Sequence, residues 1–370
     1  MAPKKPIEKA TFPHVVESAV ENGSGPEALY AALDLGTNSC RMLIVQPKGA
    51  QFHVIDSFAK SVQLGSGLEK TGKLSRNSMN RTIQALKVCK QKLDKYDVKY
   101  SRLIATEACR RAKNSKDFIL KVFQETGLKL NIIDTEEEAR LAVISCAPLV
   151  SSKSEQLLVV DIGGGSTELV WIDLSAVPSH ERPKSIMRLH SGFHSIESPF
   201  PAARVVDWIS VPLGVATLRD QFNDVEDDAA RFALMSWYFE EKLTDFAPYK
   251  DNKIDTSFQI IGTSGTVTTV ASSHLGLRRY DRTKVDGLRM TTDQIDKVIR
   301  SYLEMGPDGR KKDPRIGRDR QALIMSGSAI LQAMLRSWPT DKLTVADRGL
   351  REGLLYAQMS ANGVLEDVIL

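Results

Sequence analysis

The sequence predicts an α/β protein of two similar domains facing each other across a central cleft. Three observations carry that expectation. Strand-like and helix-like segments alternate along most of the chain, which implies α/β layering. A strand, a small polar turn and a second strand occur twice, at residues 29–45 (LYAALDLGTNSCRMLIV) and 157–171 (LLVVDIGGGSTELVW). Finally, 370 residues is long for one domain.

The composition is that of an ordinary globular protein, 42% hydrophobic and 26% charged. A net charge of +4 is too mild to argue for nucleic-acid binding, though it suits local handling of anions. Cys40, Cys89, Cys109 and Cys146 lie far apart without a CxxC, so they read as reduced core thiols rather than a zinc site or disulfide framework. The six histidines show no metal-ligand spacing. No apolar run reaches the roughly 18 residues of a membrane span. Residues 1–28 are polar, carry no signal-peptide core and read as a flexible lead-in; the expected location is the cytoplasm.

In chain order, the first hairpin is followed by a strand at 51–58 and a glycine-containing loop at 60–75. Ser75 caps a helix to about Tyr96, with Met79, Ile83, Leu86 and Leu93 on one face. Residues 101–106 read as a strand, 108–127 as one helical segment and 129–134 as a strand. TEEEARLAVISCA then opens a helix, with Thr135 as N-cap and Glu138 at N3 of a capping box. The second domain starts near Pro148. After its hairpin, residues 176–206 read as a surface insertion in which His190 and His194 are surface residues. A strand, a turn at Pro212–Gly214 and a helix follow, then a helix at 228–246. FQIIGTSGTVTTVASSHLG reads as strand, turn and helix start. Thr292 begins an amphipathic helix with Ile295, Val298, Ile299, Tyr302 and Leu303 inward. Another helix covers 322–336, and residues 343–359 close the chain as strand, glycine turn and helix.

The two hairpins share D-[LI]-G-x-x-S, with Asp34 and Asp161 where each first strand ends. Glycine turns let backbone approach a ligand, and successive N–H groups form a nest for an anion such as phosphate. An acid beside such a nest makes sense if Asp161 or Glu168 holds a hard cation such as Mg²⁺, with phosphate oxygens completing its shell. Each turn could equally be an ordinary tight hairpin, but two in a duplicated setting could grip a phosphate chain from both sides. The Gly262–Thr263–Ser264–Gly265 turn is a third candidate, since a helix N-terminus binds anions. For Glu136, Glu137 and Glu138, the first turn of a helix is a common solvated position. Arg110 and Arg111 are either surface charges or phosphate clamps.

DLGTNS, TEEEAR, DIGGGSTE, IIGTSGT and DRGLREG, in this order, resemble the exopolyphosphatase / guanosine pentaphosphate phosphatase family over residues 29 to about 358. The resemblance implies two ribonuclease-H-like domains of the actin, sugar kinase and heat-shock ATPase superfold around a central cleft. On this reading the first domain is 29–147, completed by 345–370, and the second is 148–344. It implies that Glu138, directly before Ala-Arg, is the general base, and that Asp161 and Glu168 serve Mg²⁺ and water positioning. It implies phosphate-binding roles for Gly36, Thr37, Asn38 and Ser39, for Gly163, Gly164, Gly165, Ser166 and Thr167, and for Arg110. A homodimer is a further implication of the family. The expected activity is Mg²⁺-dependent removal of the terminal phosphate of inorganic polyphosphate. The alternatives are guanosine pentaphosphate hydrolysis, an ATPase or kinase of the same superfold, and a non-catalytic sensor of polyphosphate or guanosine tetraphosphate. Gln63 and Ala322 stand where many relatives carry a basic residue and an Asp, and the 176–206 stretch is longer than usual.

Overall fold

A computed structural model describes residues 28–193, 202–250 and 254–365; the expected flexible lead-in and His194 lie outside them. The first sheet contains β1 (Tyr30–Leu35), β2 (Ser39–Lys48), β3 (Gln51–Ser61), β4 (Tyr100–Ala105) and β5 (Asn131–Ile132), in the order β3-β2-β1-β4-β5. The second contains β6 (Gln156–Ile162), β7 (Thr167–Asp173), β8 (Arg204–Val211), β9 (Phe258–Thr263), β10 (Arg289–Met290) and β11 (Leu343–Ala346), in the order β10-β11-β9-β6-β7-β8. Read from β8, the second sheet repeats the first and adds β10. Each begins with an antiparallel meander, whose first strand then pairs in parallel with a later strand. The expected duplication is therefore present in the topology.

Side chains alternate across each strand, so each sheet feeds two cores. Ala31, Leu33 and Leu35 of β1 pack under helices Arg76–Lys95 and Ser115–Thr126. Leu158, Val160 and Ile162 of β6 pack with helices including Asp228–Glu241, Gly265–His274 and Ile324–Ser337. The other faces share one helix, Thr135–Cys146. Its Ala139, Val143 and Cys146 lie against Leu157 and Val159 of β6, while Leu141 and Ala142 join Tyr30 and Ala32 of β1. The closing helix Leu350–Ala361 packs on that second face, and Gly353 lets it approach closely: a Cβ there would lie 2.1 Å from the Leu141 carbonyl oxygen.

Several local expectations are corrected. The segment 108–127 is two helices, Glu107–Arg111 and Ser115–Thr126. The break is fixed by long-range bonds: Lys113 N–H donates to Gly72 O, and the Asn114 amide bonds both the N–H and the C=O of Leu74. The 129–134 strand shrinks to Asn131–Ile132, and a short helix, Leu68–Thr71, interrupts the 60–75 loop. The described part of the 176–206 stretch is no mere surface insertion, because Ile186, Leu189 and Phe193 are buried in the core beside β6 and β7. His190 is exposed as expected. The N-cap of helix 135–146 is Asp134, whose carboxylate accepts from Glu137 N–H; Thr135 lies inside the helix. Glu138 is therefore not part of a cap, and it is buried rather than solvated.

Candidate active site

The two sheets present matching hairpins at the inner ends of β1 and β6. Asp34 shares a face of β1 with Tyr30 and Ala32, and Asp161 shares a face of β6 with Leu157 and Val159. Those are the faces that hold helix 135–146, which brings Glu138 to the same place. Across the ladders, Asp34 stands opposite Arg41 and Asp161 opposite Glu168. Directly opposed residues of an antiparallel pair lie on one face and interact.

The turns press against each other. Thr37 and Asn38 of the first abut the bare backbone of Gly164 and Gly165 in the second. A Cβ on Gly165 would fall 2.5 Å from Thr37 Oγ1, and one on Gly164 3.3 Å from Asn38 N. Both turns are held by their carbonyls from behind. Thr37 O accepts from Gly65 N–H, and Asn38 O from the N–H groups of Val62 and Gln63, each at 2.9 Å. Gly163 O accepts from Val215 N–H at 3.0 Å and Gly164 O from Ala216 N–H at 2.9 Å, the first turn of helix Val215–Gln221. With their carbonyls engaged there, the amides of Asn38, Gly164 and Gly165 donate to no acceptor among the described residues. Opposed peptide dipoles of this kind create an anion-binding concavity.

Around the turns is a cleft enclosing about 170 Å³, lined by Asp34, Gly36, Thr37, Asn38, Ser39, Glu138, Asp161, Gly163, Gly164, Gly165 and Ser166. Thr263, Ser264 and Gly265 also line it; Gly262 is inside β9, and Thr167 and Glu168 lie behind the wall on β7. Ser264 adopts φ 146° and its hydroxyl accepts from Thr266 and Val267 N–H, so it caps helix 265–274 itself. A non-glycine residue in that region carries about 1–3 kcal/mol of strain, of the kind concentrated at functional sites.

The acids form a buried, like-charged group. Burial and then the Glu168 charge push the Glu138 carboxyl well above the usual carboxylate range, with Arg110 opposing. Burial and the charges of Glu138 and Asp34 raise Asp161 to about 8. Burial and Asp161 raise Glu168 to about 7. Burial also raises Asp34, opposed by Arg41. Glu168 receives a 2.8 Å bond from Ser210, but its second carboxylate oxygen has no hydrogen-bond partner; the same holds for one oxygen of Asp34. Arg110 Nη1 lies 2.6 Å from Glu138 Oε2, so the guanidinium holds that carboxylate in a short, charge-assisted contact. Arg110 is pinned by Glu107 at 2.9 Å and by Ile133 O at 3.0 Å. It sits behind Glu138 and does not line the cleft.

No group of three or more His, Cys, Asp or Glu among the described residues is arranged to hold a metal unaided. The residues do fit a hard cation that draws only one or two carboxylates from protein and the rest from phosphate and water. Asp161 and Glu168 face each other across the ladder, and an orphaned oxygen is available on Glu168.

The sequence reading missed Arg41, Arg320 and Arg351, which also line the cleft. Arg41 and Arg320 have no carboxylate ion pair among the described residues. Burial lowers both, each further lowered by another arginine; Arg320 falls to about 10. Arg320 donates to Gly265 O and, at 2.9 Å, to Thr269 Oγ1. A signal for Arg41 was present: it holds in the first hairpin the position Glu168 holds in the second. Arg320 reaches the cleft from the 3₁₀ turn Arg318–Arg320, with no local pattern to mark it.

Known proteins share the family and the fold of this chain. Residues 43–362 match the model of the Ppx/GppA phosphatase family. A guanosine-5'-triphosphate,3'-diphosphate pyrophosphatase of Aeromonas salmonicida is 27% identical over 334 residues, covering 90% of this chain; the chain spans 60% of that relative's length. The crystal structure of the Aquifex aeolicus member of the Ppx/GppA family is 29% identical with a TM-score of 0.70, covering 90% of this chain and 98% of that one. An exopolyphosphatase structure from Cytophaga hutchinsonii shares the fold, with a TM-score of 0.75 at 21% identity over 91% of this chain and 100% of that one.

Proposed function

The chain belongs to the Ppx/GppA phosphatase family, and on that basis we propose that it is an exopolyphosphatase, hydrolysing the terminal anhydride of inorganic polyphosphate. The observation that carries the proposal is the convergence of the two turns, with their free amides, on the cleft that the buried Glu138 carboxylate also lines. Phosphoryl transfer needs positioning and charge neutralisation more than covalent help. The amides of Asn38, Gly164 and Gly165, with Arg41 and Arg320, hold phosphate oxygens. Glu138 takes a proton from water attacking the terminal phosphorus, opposite the leaving phosphate. Burial and the neighbouring Glu168 raise its pKa above the usual carboxylate range, which makes it the stronger proton acceptor. Arg110 orients that carboxylate and limits the rise. Asp161, which lines the cleft, would hold Mg²⁺ with Glu168 opposite it across the ladder, and the ion would neutralise charge on the phosphate oxygens. Guanosine pentaphosphate is the second reading, favoured by the name of the Aeromonas relative.

The test is phosphate release from long-chain polyphosphate and from guanosine pentaphosphate, side by side. A higher kcat/KM on polyphosphate is expected. A higher value on guanosine pentaphosphate overturns the substrate assignment and keeps the reaction class.

A further inference from the structure

Glu107 is an acid in the cleft wall, beside Thr106, with a side chain only 10% exposed. A bare carboxylate next to a phosphate nest would repel the ligand. Two arginines neutralise this one. Glu107 Oε2 accepts from Arg110 Nη2 at 2.9 Å and from Arg110 Nε at 3.3 Å, and Arg111 Nε lies 3.7 Å from Oε1. Arg111 is in turn paired with Glu69 at 2.5 and 2.8 Å. Charges therefore alternate from exposed Glu69 inward, through Arg111, Glu107 and Arg110, to buried Glu138.

The position of Glu107 joins three parts of the site. It opens the short helix that follows β4, where Thr106 N–H donates to Leu35 O at the inner end of β1. It abuts the second turn: a Cβ placed on Gly165 would lie 2.9 Å from Glu107 Cγ and 3.4 Å from its Cβ. It also takes one edge of the Arg110 guanidinium, the side formed by Nε and Nη2. The guanidinium is a rigid planar fork, so fixing one edge fixes the direction of the third nitrogen. That nitrogen, Nη1, donates to Ile133 O at 3.0 Å and stands 2.6 Å from Glu138 Oε2. Without Glu107 the fork is free to turn and to offer two nitrogens to Glu138, the bidentate pairing that guanidinium and carboxylate favour.

We infer that Glu107 is a positioning residue for the general base. It orients Arg110 so that a single guanidinium nitrogen meets Glu138, and its contact with Gly165 sets that orientation relative to the phosphate-binding turn. The inference rests on the reading of Glu138 as general base and holds for either substrate. An ion pair that served stability alone would change the urea midpoint and leave kcat where it is.

The experiment measures kcat and KM with Mg²⁺ for wild type, Glu107→Gln, Arg110→Gln and the double variant. The substrate is whichever of long-chain polyphosphate and guanosine pentaphosphate gives wild type the higher kcat/KM. Glutamine keeps the bulk against Gly165 and removes the charge that holds Arg110. The expected result for Glu107→Gln is a kcat lower by about tenfold to 100-fold, as for a reacting group displaced by about 1 Å, with KM within about twofold of wild type. The double variant should fall no further than Arg110→Gln alone, because one residue acts through the other. An unchanged kcat, a change confined to KM, or losses that multiply in the double variant overturn the role of Glu107 and leave the reading of Glu138 standing. If urea unfolding shows that Glu107→Gln does not fold, Glu107→Asp takes its place. It keeps the charge but withdraws it from Arg110 by one methylene, and the same kcat and KM pattern is expected. Phosphate release by wild type from neither substrate overturns the reading of the cleft and the inference together.

Discussion

The two hairpins have the same topology, the same D-[LI]-G-x-x-S sequence and different chemistry. In the first, Asp34 faces Arg41, so the acid is balanced across the ladder. In the second, Asp161 faces Glu168, and two carboxylates share one buried face. The turns diverge in the opposite sense. The first keeps side chains at Thr37 and Asn38, while the second has Gly164 and Gly165 at those positions and receives them. A duplicated element has thus become two unequal parts. The Asp34–Arg41 hairpin is suited to anchoring an anion, and the Asp161–Glu168 hairpin to attracting a cation. Buried like charges are costly, and a protein that keeps them needs a counter-charge at that point.

Outside Glu138, the largest expected effect is in the second hairpin. Asp161→Asn should lower kcat about 100-fold and shift the Mg²⁺ midpoint to higher concentration, at a cost of about 2.7 kcal/mol in the transition state. An unchanged Mg²⁺ titration breaks the proposed division of labour. Next is the pH dependence of stability without metal. The folded pKa of Glu168 is raised from 4.5 to about 7, so the folded form binds the proton more tightly than the unfolded chain. That stability is present below the unfolded pKa and is lost as pH rises through about 7. In EDTA, Tm should therefore fall across pH 5 to 8 in this protein and fall less in Glu168→Gln; equal slopes would contradict the like-charge account.

Smaller again is Arg41→Ala in the first hairpin. It should raise KM about tenfold, worth about 1.4 kcal/mol, with the Mg²⁺ midpoint unmoved. A shifted midpoint would mean that the hairpins do not divide the work. The last comparison concerns stability alone and separates the equivalent glycines. A Cβ at Gly163 would lie 2.8 Å from Ser166 O, whereas one at Gly36 meets only Ser39 O at 3.7 Å. Gly163→Ala should destabilise by about 1–3 kcal/mol and Gly36→Ala by less than about 1 kcal/mol, measured by urea unfolding.

The parts legible in the sequence were those written locally. Alternating strands and turns marked both hairpins, and Ser75 marked its helix. What escaped was decided at long range. The break at Ala112–Asn114 comes from bonds to Gly72 and Leu74, and the burial of Ile186 and Phe193 from a core assembled around β6 and β7. The cap moved by one residue because Asp134 and Thr135 both suit the role; Asp134 took it, leaving Glu138 one position past the capping box. Of the site, Asp34, Asp161, Glu168 and the turns could be read from the two hairpins, whereas Glu138 was marked only by the family resemblance. Arg41 could have been read by aligning it with Glu168. Arg320 could not, since only tertiary packing brings it to Gly265.

The account is tested most directly by Glu138→Gln, measured for both binding and turnover of long-chain polyphosphate with Mg²⁺. It predicts that affinity stays within about twofold of wild type while kcat falls about 1,000-fold, within the range for loss of a general base. A variant that still releases phosphate at a near-normal rate would contradict the assignment of Glu138 and the reading of the cleft built on it.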